Sequence, residues 1–228
     1  MPRGRANNKN RANQNAVKNQ IQSRERLYES FNFETASIQD LEELRDRLKA
    51  DFDGFSLSGQ RKIIKFDEVS SNKRKLNGYI RETEVKLEEM LSRKAFIEKT
   101  ISPIAEKIRG WIELNTTHQD KGSADVFLAE LNISGKKYIE NGNIKQFNQS
   151  LKSAITHLEK SNLNQDPKWR DGVIPALKQF ANYVISLFSN NRNNFWKTSE
   201  QKNIVEIHRA IDSAIEPDQD LRDGLGVN

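Results

Sequence analysis

The sequence predicts an all-α fold, in which a helical hairpin or coiled-coil-like region is followed by a small helical bundle. Three observations carry this prediction. Apolar residues recur at spacings of three and four, no stretch alternates long enough for a sheet, and helix-start signals precede the apolar stripes. In a chain of 228 residues with 35% hydrophobic and 30% charged residues, this pattern fits one or two small domains with a modest core.

The first strong helix signal is the pair Ser37 and Asp40, whose hydroxyl and carboxylate can satisfy first-turn amides. The stripe that follows consists of Ile38, Leu41, Leu44, Leu48 and Phe52. Gly54 is predicted to end this helix, with a serine just beyond it capping the next one. Asn77-Gly78 either separates two helices or is absorbed into one long helix.

A seven-residue repeat of the kind that forms a coiled-coil seam extends from Ile80 to Trp111. Its two core positions are filled by Ile80, Leu87, Lys94, Ile101 and Ile108, and by Thr83, Met90, Ile97, Ile104 and Trp111. Pro103 fits only a first helical turn, which predicts a long helix to about Thr100 and a shorter one to about Leu114. Two interpretations stay open: the seam packs inside one chain, or it joins two copies through Leu87 and Ile97.

The polar stretch 115–122 is predicted to be the domain boundary, separating a hairpin region, 27–114, from a helical bundle, 123–215. The helices of the bundle are expected to begin near Ser123, Asn143, Pro175 and Thr198. The residues after 215 read as an acidic flexible tail.

The net charge of +5 is concentrated in residues 1–26, which hold seven cations and one anion, a net +6. The other 202 residues hold 30 cations and 31 anions, a net −1. We therefore predict a disordered, Asn-rich basic arm that gives way to a helix from about residue 14. Its phosphate-binding candidates are Arg3, Arg5, Lys9, Arg11 and Lys18. A solubilising arm and an arm that binds an acidic membrane surface are the other interpretations.

The motif content points to a protein that is not an enzyme and carries no cofactor or metal. The chain has no cysteine, which excludes disulfides and thiolate chemistry, and its three histidines show no ligand spacing. Phosphate-binding loops, dinucleotide fingerprints and nucleophile elbows are absent from the sequence. No apolar run reaches the about 20 residues of a membrane span, so a cytoplasmic protein is expected. An enzyme with a dispersed carboxylate or histidine site stays open as a further class.

Two tryptophans, Trp169 and Trp196, lie beside polar residues near predicted helix starts. A tryptophan in such a place can anchor a protein interface. It can also cover the end of a helical bundle, and both interpretations stay open.

The C-terminal third carries a family resemblance. The pieces that carry it are FNQSLKSAITHLEK (147–160), KWRDG (168–172), VIPALKQFANYVISLF (173–188) and NNFWKTSEQKNIVEIHRAI (193–211). They resemble a segment near the C-terminus of many Legionella-type effectors, which a Dot/Icm (type IV) secretion system delivers into host cells. The acidic residues after 215, followed by Leu225 and Val227, are similar to the export signal of that family. The resemblance implies a bacterial cytoplasm before export and a host cytosol afterwards, and it implies no common enzyme activity.

These observations together favour a helical effector or adaptor that acts by protein–protein binding. The alternative is a nucleic-acid-associated oligomeric protein, in which the basic arm contacts phosphates and the helical body joins copies through the Ile80–Trp111 seam. Affinity that falls steeply with salt and requires the arm would favour the alternative.

Overall fold

The structure, a computed structural model, describes residues 22–60, 66–115, 121–189 and 198–215, and positions 15 and 19. Every regular element in these ranges is helical, which confirms the all-α prediction. The chain divides into two compact units, which we call the N-terminal unit (Met1–Leu91) and the C-terminal unit (Ser92–Asn228). Each unit has its own buried apolar cluster.

In the described part of the N-terminal unit, residues 22–29 are helical (α1), and turns and α2, Ile38–Gln60, follow. The predicted start signal of α2 forms. The Ser37 hydroxyl accepts a hydrogen bond from the Asp40 amide at 3.1 Å, and the Asp40 carboxylate accepts one from the Ser37 amide at 2.8 Å. The Ser37 hydroxyl also donates to that carboxylate, which lowers the pKa of Asp40.

Two glycine positions that read as helix breakers lie inside helices. The predicted end of a helix at Gly54 is wrong, because α2 continues to Gln60. Asn77-Gly78 is absorbed into α3, Phe66–Thr100. A Cβ added to Gly54 or Gly78 would meet nothing within 4 Å, so neither glycine serves a close approach. A helical glycine costs only about 1 kcal/mol, and at Gly78 the burial of Leu76 and Ile80 on either side outweighs this cost.

Among the described residues of the N-terminal unit, α1, α2 and α3 all contribute to one buried cluster. It consists of Tyr28, Leu44, Leu48, Leu76 and Ile80, with Phe31, Phe33, Phe52 and Tyr79 packed against it. Ion pairs connect the same helices, namely Arg24–Asp51 at 2.6 Å, Glu25–Lys75 at 2.8 Å and Lys49–Glu84 at 2.7 Å. Part of the predicted arm 1–26 is therefore helical and ion-paired.

Most positions of the predicted seam are buried within a single chain. The buried ones are Ile80, Thr83, Leu87 and Met90 in the N-terminal unit, and Ile101, Ile104, Ile108 and Trp111 in the C-terminal unit. The Thr83 hydroxyl is satisfied by the Tyr79 carbonyl at 2.8 Å. Lys94 is exposed, and Ile97 is half-buried and packs against the core of the C-terminal unit. This burial favours a seam that packs inside one chain.

The helix break at Pro103 forms as the sequence predicts. Helix α3 ends at Thr100, and α4 spans Ser102–Leu114 with Pro103 in its first turn. However, the apolar face of α4 packs into the same core as the later helices. The two units therefore divide at Leu91/Ser92 and not at the predicted boundary 115–122.

The C-terminal unit packs its helices around one large core. Beyond α4 its elements are α5 (Lys121–Asn141), α6 (Ile144–Lys160), a 3₁₀ turn (Asn162–Gln165), a π-helical turn (Trp169–Val173), α7 (Ile174–Ser189) and α8 (Thr198–Ile215). Among the described residues this core contains 28 buried side chains, from Phe96 to Ile211. Within the described ranges, no helix combines the length and apolarity that crossing a bilayer requires.

The turn between α5 and α6 depends on a glycine and an arginine. Gly142 has a φ of +67°, the left-handed conformation that commonly ends a helix. The guanidinium of Arg93 donates to two carbonyls in the last turn of α5, at 2.9 and 3.3 Å, and lies against Gly142. Asn143 then caps α6 as predicted, accepting a first-turn amide at 3.0 Å.

The π-helical turn brings a buried tryptophan and a tight backbone contact together. Trp169 is fully buried, and its ring packs edge-on against Trp111 with a centroid distance of 5.0 Å. Gly172, in the same turn, faces Ala214 of α8, and a Cβ on Gly172 would lie 2.3 Å from the Ala214 Cβ. The last helix therefore packs directly on this turn.

Candidate binding site

The N-terminal unit carries an open groove, and Phe33, one of its lining residues, is held by packed aromatic rings behind it. Tyr28 of α1 stacks on Tyr79 of α3 with a centroid distance of 3.9 Å. Phe33, in the turn before α2, packs edge-on against Tyr28 at 5.4 Å and against Phe31 at 4.9 Å. Such pairs add about 0.5–1.5 kcal/mol beyond area burial. The half-buried Phe33 ring is thus held in place beside α3.

A hydrogen bond connects Tyr28, one of these aromatic residues, to the rim of the groove. The Tyr28 hydroxyl donates to Glu82 Oε2 at 2.5 Å. Burial raises the pKa of Tyr28 above its usual value near 10, and the bond to the Glu82 carboxylate raises it further. Tyr28 is therefore a neutral donor at physiological pH, and Glu82 is oriented by it.

The floor and rim of the groove come from one face of α3. The volume is about 430 Å³, and the lining residues are Phe33, Gly78, Arg81, Glu82, Val85, Lys86 and Glu89. Gly78 leaves open space above the helix backbone. Val85 is 50% exposed and stands in the middle of the face. We call this feature the Phe33 groove.

The shape and polarity of the Phe33 groove suit a chain-like ligand. Residues 78 to 89 span three helical turns, or about 16 Å at 1.5 Å per residue. The centre is apolar because it holds Phe33 and Val85, and the rim has two cations and two anions. An apolar centre with a polar, charge-balanced rim is the arrangement found in protein interfaces. A helix or an extended segment of another protein fits these dimensions.

A second, smaller concavity lies between α6 and α7 in the C-terminal unit. Its volume is about 270 Å³, and its lining includes Ile155, Thr156, Ala181 and Asn182. Lys178 forms an ion pair with Glu159 in the lining of this space. Because Ile155 and Ala181 are buried, this concavity offers less exposed apolar surface than the Phe33 groove.

The described histidines make structural contacts. His208 Nε2 lies 3.0 Å from the Thr100 carbonyl, which can only accept, so Nε2 carries a proton. His157 Nδ1 lies 3.3 Å from Glu130. In the parts of the chain that the structure describes, no three His, Asp or Glu side chains come together as metal ligands. His118 lies outside those parts.

The interaction candidates predicted from the sequence differ in how far the structure buries them. Trp169 and Leu87 are core residues, with 0% and 4% of their surface exposed, so neither is available as a surface anchor. Ile97 is half-buried against the C-terminal core. Trp196 lies outside the described residues. The five phosphate-binding candidates, Arg3, Arg5, Lys9, Arg11 and Lys18, also lie outside the described residues.

Sequence reasoning missed the two apolar residues of the Phe33 groove. Val85 could have been found from the sequence. In the repeat from Ile80 it occupies the position opposite the seam, where a solvated helix normally carries a polar residue. Phe33 could not, because a lone aromatic in a turn is read as covering the core. No protein-family model, no curated protein and no solved structure matches this chain.

Proposed function

We propose that this chain is a non-enzymatic helical effector or adaptor that binds a partner protein through the Phe33 groove. The observation that carries the proposal is the exposed Val85 beside an ordered aromatic ring, inside a charge-balanced rim. Leaving such apolar surface in water is unfavourable, and a partner helix or extended segment would cover it. The partner supplies apolar anchors for Phe33 and Val85 and charges of both signs for the rim.

The cellular context in this proposal comes from the resemblance of residues 147–211 to Dot/Icm effectors. The protein is made in a bacterial cytoplasm, exported by type IV secretion and active in a host cytosol. The structure sharpens the export test, because Ile211 is buried and α8 extends to Ile215. A deletion that probes the acidic tail without damaging the bundle must therefore begin after residue 216.

A matched pair of substitutions tests the binding role. Val85→Glu places a charge in the groove, while Val205→Glu makes the same change at a 52% exposed valine on α8. Proximity labelling in host cells should recover one set of proteins with the wild type and the Val205→Glu variant, and lose it with Val85→Glu. The purified partner should then bind Val85→Glu at least about tenfold more weakly, a loss of about 1.4 kcal/mol. Equal binding by all three proteins would contradict the groove assignment.

A translocation assay tests the effector context separately. A reporter fused to the N-terminus should enter host cells from a bacterium with a Dot/Icm system, and deletion of residues 217–228 should abolish entry. Entry that is independent of these residues would contradict the proposed export signal. Binding through the groove would still stand in that case.

The charge asymmetry of the chain favours a second function, in which the arm binds nucleic acid. Five basic residues precede residue 20, whereas Arg24 is paired with Asp51 in the helical body. Contacts from five cations predict a log–log salt slope of about −3.5 to −4.5 for single or double strands. Deletion of residues 1–18 should remove this binding. Weak binding that survives the deletion would exclude the function.

A further inference from the structure

Helix α5 of the C-terminal unit has two apolar faces, and only one of them is buried by the chain. The inner face holds Phe127, Leu128, Leu131 and Tyr138. On the opposite side Val126 and Ile133 are 54% and 56% exposed. With Gly122 and Ala129, which are also exposed, they occupy positions i, i+4, i+7 and i+11. We call Gly122, Val126, Ala129 and Ile133 the outer stripe.

The outer stripe is self-complementary in size when two copies run antiparallel. Pairing about the midpoint between Phe127 and Leu128 sets Ile133 opposite Gly122 and Val126 opposite Ala129. Each branched side chain then meets a small one, and a Cβ at Gly122 has open space around it. Small residues in such a contact let two helix backbones approach closely, at the short end of the usual 8–10 Å.

The polar residues beside the outer stripe agree with the same arrangement. Asp125 and Asn132 flank the stripe on one side and are both exposed. In an antiparallel pair, equivalent flanks face each other, so Asp125 of one copy meets Asn132 of the other. A carboxylate only accepts and an amide nitrogen donates, so Asn132 donates to Asp125 of the other copy. The symmetry of the pair repeats this hydrogen bond, which gives two in all. In a parallel pair opposite flanks would face each other, so Asp125 would not meet Asn132 and this hydrogen bond would not form.

We propose that the outer stripe is a homodimer contact in which two α5 helices pair antiparallel. The occupant is a second copy of this chain, and the contact is independent of the Phe33 groove and of the Ile80–Trp111 seam. Three helical turns bury less than a standard interface of about 1,600 Å². The dimer is therefore weak and forms in a concentration-dependent way.

Cysteine cross-linking tests the proposal sharply, because the natural chain has no cysteine. Gly122 and Ile133 lie 11 residues apart on one helix, about 16 Å, which is far beyond disulfide reach within one copy. In the proposed pair, residue 122 faces residue 133 of the other copy. The double variant G122C/I133C should therefore oxidise to a covalent dimer at least about tenfold faster than either single variant.

The single variants serve as controls for orientation. In the antiparallel pair each introduced cysteine lies about 16 Å from its own copy, so neither single variant should cross-link efficiently. Rapid cross-linking of the single variants would indicate a parallel pair or random collision, and either result overturns the proposal. No acceleration in the double variant would also overturn it, and would assign the stripe to another protein or another segment of the chain.

Sedimentation of the full chain gives an independent measurement. The wild type should shift towards dimer as its concentration rises, and Ile133→Asp should remove the shift. Val205→Asp, an exposed control on α8, should leave it unchanged. Because both positions are exposed, the two variants should retain the helical circular dichroism of the wild type. A wild type that stays monomeric at the highest concentration would contradict the proposal.

Discussion

The two units of this protein are stabilised in different ways. The C-terminal unit buries 28 side chains in one cluster among the described residues, including the fully buried Trp169. Among the described residues of the N-terminal unit, five buried side chains form its cluster, and Leu41, Leu87 and Met90 are buried as well. Stacked aromatics and ion pairs between exposed or half-exposed groups also connect its helices. Apolar burial contributes about 25 cal/mol per Å², whereas exposed ion pairs contribute only about 0–1 kcal/mol each.

This contrast favours a structural role for the C-terminal unit and a binding role for the N-terminal unit. A large apolar core fixes its helices firmly, and sequence changes on its surface are tolerated. A region with fewer buried apolar contacts opens more readily, and binding surfaces often lie in such regions. The Phe33 groove lies on the smaller unit, and Phe33 packs against that unit's buried cluster.

Truncating a large core side chain should affect the C-terminal unit most. Trp169→Ala is expected to destabilise that unit by about 3–5 kcal/mol, because the indole is fully buried against Trp111. Leu44→Ala in the smaller cluster should cost about 2 kcal/mol, at the low end for a leucine. Hydrogen exchange with peptide resolution measures both units in each variant. Equal losses would contradict the contrast.

The contact between the π-helical turn and α8 should respond to a single methyl group. Gly172→Ala is expected to destabilise the C-terminal unit by about 1–3 kcal/mol, because its Cβ would overlap Ala214. Adding Ala214→Gly removes the overlap, so the double variant should be more stable than Gly172→Ala alone. Urea unfolding followed by tryptophan fluorescence is suitable, since all three tryptophans follow residue 91. No recovery in the double variant would refute the contact.

Alanine substitutions at Gly142, in the α5–α6 turn, and at Gly110, in α4, should change stability in opposite directions. Gly142→Ala is expected to cost about 1–2 kcal/mol, since an L-residue is disfavoured at a φ of +67° and its Cβ would press on Arg93. Gly110→Ala in α4 meets nothing within 4 Å and should stabilise by about 0.5–1 kcal/mol. Thermal unfolding of the two variants should therefore shift in opposite directions. Shifts of the same sign would contradict this assignment.

The stability of the N-terminal unit should depend on pH above pH 10, because of Tyr28 behind the Phe33 groove. The pKa of Tyr28 is raised above its usual value near 10, so its contribution to stability is complete below pH 10 and is lost as pH rises beyond it. Tyr28→Phe should lose about 0.5–1.5 kcal/mol at neutral pH and should show a weaker decline above pH 10. Hydrogen exchange in residues 22–36, measured at pH 8 and pH 10.5, would detect this.

Tyr138 provides the matched control in the C-terminal unit. Burial raises its pKa to about 12, so the stability of that unit also declines between pH 10 and pH 12. Tyr138→Phe should weaken the decline in the C-terminal unit and leave the N-terminal one unchanged. If either variant altered the pH dependence of both units equally, the assignment of the two tyrosines would fail.

Local signals in the sequence predicted most of the helix boundaries. Pro103 marked the break after Thr100, and Asn143 marked the start of α6, since both act through bonds within a few residues. The predicted helix end at Gly54 was wrong because a glycine inside a helix costs only about 1 kcal/mol, so low helix propensity does not by itself end a helix. The unit boundary was misplaced for a related reason: the polar stretch at 115–122 is visible in sequence, whereas the core that α4 joins is not.

For the candidate binding surfaces, too, the sequence shows the residues but not whether the fold covers them. An apolar residue opposite a seam, such as Val85, is visible in the sequence, as are Val126 and Ile133 on α5. Whether such a residue faces solvent depends on which neighbours cover it. Trp169 and Leu87 illustrate the opposite case, because both looked available for contact and both are buried.

The sequence by itself determined the all-α class, the repeat from Ile80 to Trp111 and the concentration of positive charge before residue 27. Periodicity, caps and charge are local properties, so they can be read without a fold. Only the tertiary structure decided that the seam is buried within one chain, that α4 joins the larger core, and that the Phe33 groove and the outer stripe remain exposed. Burial depends on residues distant in sequence that meet in space, and no local pattern specifies which ones meet.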